Sequence, residues 1–155
     1  VMAALVGLLA VTVVSADNQW ANYKWKSRGD LVLTIGNNVD PKWDANLATA
    51  IVDWDAPKST VASLTEVTGA AGGTAINCTP DTGNVEICNG NFGPNDWLGV
   101  AGIWIRKGKD ITKANAIMND YYFEEVPYYM ADADNWRQLV MCQEIGPTSV
   151  LTIRM

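Results

Sequence analysis

Apolar positions recur at two spacings along this chain, and those spacings place the elements. Between Gly29-Asp30 and Gly36-Asn37-Asn38, the run Leu31-Val32-Leu33-Thr34-Ile35 predicts a short buried strand. From Pro41 to Trp54, the residues Trp43, Leu47, Ala50, Ile51 and Trp54 return every three or four positions, which is one apolar face of a helix. Asp40 is placed to cap it, Pro41 suits its first position, and Pro57 ends it. Ser63-Leu64-Thr65-Glu66-Val67 alternates and predicts a second strand; Gly69 to Gly73 reads as a loop, and Val85-Glu86-Ile87 alternates weakly. Trp97 to Arg106 and Ile111 to Asn119 are β-rich, with Lys107-Gly108-Lys109-Asp110 as a turn between them. Tyr121 to Met130 is aromatic and broken by Pro127, which predicts a surface-packed loop. A last helix is expected from near Asn135, with Gln138 completing a capping box. Trp136, Leu139, Val140 and Gln143 would lie along one side of it, and Gly146-Pro147 would stop it. This order describes an α/β or α+β layered domain.

Composition narrows the class. The 155 residues suffice for one domain with one core, and seven tryptophans in a chain 48% apolar exclude disorder. A formal net charge of -6 argues against a nucleic-acid partner, which needs a basic face. Val1 to Val14 is apolar apart from Thr12, and Val14-Ser15-Ala16 supplies the small residues of a cleavage site. Residues 1–16 are therefore expected to be a secretory signal, too short for a stable membrane anchor, with the domain in residues 17–155. Secretion permits disulfides. Cys78 and Cys88 flank the turn residues Pro80-Asp81 and Gly83, so their sulfurs are expected to meet, and Cys142 is left over. Asn77-Cys78-Thr79 fits a glycosylation acceptor.

The chain contains no histidine, which removes Ser-His-Asp and Cys-His catalysis. Glu124, Glu125, Asp132 and Asp134 lack the spacing of a calcium loop and read as solvated charges. Trp20, Trp25 and Trp97 are candidates for stacking on sugars if exposed. Gly69 to Gly73 lacks the lysine of a phosphate loop.

One segment carries more specific chemistry: Trp136-Arg137-Gln138-Leu139-Val140-Met141-Cys142-Gln143-Glu144-Ile145-Gly146. It resembles the active-site helix of the metzincins, and more closely a matrixin-like group of secreted bacterial zinc metallopeptidases. The family pattern H-E-x-x-H sets two imidazoles one turn apart around a zinc ion, with glutamate beside the metal-bound water. By resemblance Glu144 is the general base. Gln143 falls at the first histidine and Pro147 at the second, so the ligand positions are degenerate or lost, and the third falls on Ile153. The resemblance implies a zincin-like α/β fold. Its mostly parallel twisted sheet would have an antiparallel edge strand, with one long N-terminal helix and a C-terminal active-site helix. It also implies that Leu98, Gly99, Val100, Ala101, Gly102 and Ile103 line the edge strand that holds a peptide or protein substrate. Zinc is the expected cofactor of the full-length family member, and this chain as written is expected not to bind it and to be inactive. Restoring one base before Ser149, with permitted codons, turns the tail into Phe-Gly-Leu-Asp-His-Gln-Asp. The tail is thus expected to be a frameshifted read of a zinc-binding sequence. The alternative expectation is a non-catalytic secreted protein that binds peptide or glycan on the same fold.

Overall fold

The structure, a computed structural model, describes residues 23–25, 31–55, 62–69 and 78–149. The expected signal, Trp20, the Pro57 stop, the loop beyond Gly69, Asn77 and Ile153 lie outside the described residues. Among those described, six strands and four helices form an α/β unit with a mostly parallel sheet. In chain order they are β1 (Lys24–Trp25), β2 (Leu31–Asn38), α1 (Pro41–Asp55), β3 (Ala62–Thr68), β4 (Asn84–Gly90), β5 (Gly99–Arg106), β6 (Asp110–Asn119), α2 (Asp120–Glu125), α3 (Pro127–Met130) and α4 (Ala133–Ser149). The sheet runs β3-β2-β4-β6, all parallel, and β5 adds antiparallel to β6. β1 and β5 both pair with Asp110 and Ile111, so β1 occupies the β4 flank of β6 and leaves the outer flank to β5. Beyond β5 no described strand pairs.

Helix periodicity meets strand alternation in one core. Trp43, Leu47, Ala50 and Ile51 of α1 are buried at the expected spacing, against Leu33, Ile35, Val85 and Ile87 of the sheet. α4 packs beside α1 on the same face and adds Val140, Met141 and Ile145. Trp54 seals the contact between the two helices. Its Nε1 donates to the Cys142 carbonyl at 3.0 Å, and its ring lies over Gly146, where a Cβ would come within 2.6 Å of it.

Four expectations are corrected. Tyr121 to Met130 is two short helices and not a loop. Asn119 caps α2 through its side chain, Pro127 opens α3, and Tyr122, Tyr128 and Tyr129 interlock edge-to-face. The last helix begins at Ala133, and Gln138 does not close a capping box: its Nε2 donates to the Cys142 sulfur. Its buried face is Val140, Met141, Ile145 and Thr148, while Leu139 is 56% exposed and Gln143 is exposed. Nor does the helix stop at Gly146-Pro147. Thr148 is fully buried and its hydroxyl donates to the Ile145 carbonyl at 2.8 Å, while Trp25 Nε1 donates to the Thr148 carbonyl at 2.8 Å. One local and one tertiary bond thus hold the last turn despite the N–H that proline lacks.

β4, which reads weakly in sequence, is the central strand and is buried on both faces. Val85 and Ile87 face the helices. Glu86 and Cys88 face the other way, where Glu86 accepts from the Asn38 amide and Cys88 forms a disulfide with Cys78, their Cα atoms 6.0 Å apart. Satisfied polar groups on that face explain why the strand lacks the apolar run of a buried strand.

Candidate functional site

α4 lies against β5 and β6, and this decides where the residues of segment 136–146 point. Gln143 and Pro147, one helical turn apart, share a side of α4; Gln143 is exposed and Pro147 half-buried. Glu144 is turned toward the edge strand. A Cβ on Gly99 would lie 2.7 Å from Glu144 Cγ and 2.8 Å from Val140 Cγ1, so only glycine lets the helix side wall approach the start of β5 this closely. The Glu144 carboxylate is half-buried and makes no hydrogen bond or ion pair among the described residues. Burial without compensating donors raises its pKa above the ordinary glutamate value.

The six edge-strand residues fall where alternation puts them. Gly99, Ala101 and Ile103 pair with Met118, Ala116 and Ala114 and face the helices, while Val100 and Gly102 face away. Ala101 is buried, Leu98 packs on the core, and Val100 is 43% exposed. The loop that leads into β5 is pinned by one residue that the sequence pattern did not single out. Asn119 accepts from Phe92 N at 3.0 Å, donates to the Gly93 carbonyl at 2.9 Å and Asn95 Oδ1 at 2.8 Å, and also caps α2. Its backbone N–H donates to the Leu98 carbonyl at 2.9 Å. The available signal was its place directly after the last apolar residue of the inner strand, where helix caps occur.

The structure therefore brings Glu144 and β5 together. It does not assemble a metal centre from 143, 144 and 147. Those positions offer one amide oxygen and one carboxylate, and zinc takes four nitrogen, sulfur or oxygen ligands. Cys142 does not supply another: its sulfur turns toward α1, taking a hydrogen bond from Gln138 and lying 3.8 Å from Asp53 Oδ2. Burial raises its pKa, and the Asp53 charge adds to the rise against the opposing Gln138 bond. No group of three or more metal-ligating side chains occurs among the described residues. The donor set does not fit zinc.

The other candidates resolve into structural contacts. Glu124 pairs with Lys42, Glu125 accepts from Asn91, Asp132 accepts from Asn135 and Asp134 pairs with Arg137. Trp25 is buried, and Trp97 packs on Phe92 with ring centroids 5.2 Å apart, so neither is an open platform for sugar; among the described residues the exposed indole is Trp104, at 38%. A separate open groove of about 460 Å³ at the carboxyl ends of β2 and β3 is lined by Asn37, Val39, Asp44, Glu66, Val67 and Thr68, with no residue from α4 or β5. No helix among the described residues is long and apolar enough to cross a membrane. Set against models of known protein families, curated proteins and solved structures, the chain matches none.

Proposed function

We propose that this chain has the framework of a secreted zinc metalloendopeptidase of the metzincin type, and that in its present sequence it holds peptide without cleaving it. The observation that carries the reading is Glu144: half-buried, without a partner among the described residues, and pressed against the first residue of an edge strand whose outer flank no described strand occupies. Two further features support it. The antiparallel strand lies at the rim of an otherwise parallel sheet, beside the helix that carries the Gln-Glu pair. The Cys78–Cys88 disulfide suits an oxidising compartment, as does the apolar run at residues 1–14.

In the metzincin class a bound zinc ion polarises the scissile carbonyl and activates water. Here the residues at 143 and 147 do not hold one, and no step through the metal is derived. What the chain's own residues do is narrower. No described strand occupies the outer flank of β5, so its backbone groups can pair with an extended peptide, and Glu144 is poised to exchange a proton with a group lying at Gly99.

The test rebuilds the missing half-turn. Gln143→His with Pro147→His sets two imidazoles one turn apart around Glu144. Zinc affinity, measured by calorimetry, is expected to rise at least about tenfold over the unaltered chain. Equal zinc binding by the two proteins would sink the proposal that this helix wall is a metal site in outline. Hydrolysis of casein by the unaltered chain with added zinc would overturn its assignment as inactive. A second reading, a non-catalytic binder of peptide or glycan on the same fold with no metal site in outline, is favoured by the deficient donor set and predicts equal zinc binding by the rebuilt and the unaltered chains.

A further inference from the structure

The β5–β6 hairpin carries charge opposite to that of the rest of the chain. Arg106, Lys107, Lys109 and Lys113 are four of eleven basic residues and fall within eight positions, with Asp110 the one acid among them, in a chain of net charge -6. Arg106, Lys107 and Lys109 are exposed, and neither Arg106 nor Lys107 forms an ion pair among the described residues. Lys107 is held at φ 44°, the left-handed conformation that glycine or asparagine adopts at lower cost. A cation thus occupies a turn position where a smaller residue would fold more easily. Lys113 lies over the Trp104 ring, 5.0 Å from its centroid, so one side of the hairpin joins positive charge to exposed apolar surface.

The position of this charge along β5 gives it a meaning. The strand begins at Gly99, against Glu144, and ends at Arg106. At about 3.3 Å per residue, the cations begin about 23 Å along the same open edge. We infer that an extended peptide bound along β5 is selected for acidic residues about seven positions from the bond that lies at Glu144, where Arg106 and Lys107 receive them. The inference rests on the peptide-binding reading above. It favours a peptide over an anionic lipid surface because a lipid surface would meet the hairpin tip alone. An edge-bound chain meets the tip together with the backbone groups of β5. The overall negative charge of the protein repels acidic peptides elsewhere, which sharpens the selection.

The experiment uses the unaltered chain and three fluorescein-labelled peptides with the same seven-residue Val-Thr alternating core. One has three serines at each end, and the other two replace one serine run or the other with three aspartates. Anisotropy is read at about 20 mM and 300 mM salt, where the screening length differs several-fold. One aspartate peptide is expected to bind about five- to tenfold tighter than the serine peptide at low salt. The gain should vanish at high salt and in the Arg106→Glu/Lys107→Glu variant, while the serine peptide binds that variant unchanged. Serine-peptide binding that shifts β5 amide resonances, with no gain from either aspartate run, overturns the inference and leaves the peptide reading standing. No binding by any of the three peptides overturns both. Binding of the unaltered chain, lost in the charge-reversed variant, to vesicles containing phosphatidylserine but not to the peptides also overturns it, in favour of a lipid surface.

Discussion

Asp120 and Glu144 are two carboxylates drawn out of water, and the protein treats them in opposite ways. Asp120, at the start of α2, is almost wholly buried and receives Trp43 Nε1 at 2.7 Å, Asn89 Nδ2 at 2.7 Å and the Lys42 ammonium at 3.3 Å. Lys42 also pairs with Asp40 and Glu124. Burial pulls the Lys42 pKa down, but Glu124 and Asp120 more than reverse it, and the net shift is upward. Glu144 has burial without the donors. The first arrangement is what a structural acid needs, since a desolvated charge is tolerated when hydrogen bonds and a counter-charge replace water. The second leaves the acceptor sites of the carboxylate free, whereas one already saturated with donors has nothing left for a bound group.

Three substitutions test that contrast. Asp120→Ala strips the acceptor from an indole, an amide and an ammonium at once, so the largest loss is expected there, about 3 kcal/mol in urea unfolding. A loss near zero would mean that the corner is not a latch. Gly99→Ala is next, at about 1–3 kcal/mol, because the new methyl meets Glu144 Cγ and Val140 Cγ1 below contact distance. As the side chain is pushed toward water, the carboxyl titration of Glu144, followed by carbon NMR, should move down toward the ordinary value. An unmoved titration with unchanged stability would show that the helix wall and β5 are not in contact. Glu144→Gln should have the smallest effect, and its size depends on pH. The folded-state pKa of Glu144 is raised, so its contribution to stability is present below the ordinary glutamate pKa and is lost as pH rises through the folded value. The variant is therefore expected to match the parent near pH 4 and to exceed it by less than about 1 kcal/mol at pH 8, since solvent screens a half-exposed group. A variant less stable than the parent at pH 8 would reveal a partner for Glu144 and end the contrast with Asp120.

Much of this was legible in the chain. The α1 face from Trp43 to Ile51 is stated by its spacing, and the β5–β6 hairpin by two β-rich runs around Lys107-Gly108-Lys109. The Cys78–Cys88 disulfide follows from the two sulfurs flanking turn residues. The aromatic stretch from Tyr121 to Met130 was not legible. Its rings pack on one another, and Asn119 caps the first turn, so helix formation there depends on contacts that no periodicity records. The rotation of α4 was missed because Leu139 is as apolar as Val140, and only packing against α1 and β5 selects which of them is buried.

The sequence by itself determined the order β2, α1, β3, β4, β5, β6, α4, the disulfide and the lack of imidazole, because those depend on local spacing and on residue identity. Only the tertiary structure decided that Gly99 admits Glu144, and that Asp120 is satisfied while Glu144 is not. Each of these depends on which surfaces meet across long stretches of chain, and on how many donors each meeting leaves within reach of a buried oxygen.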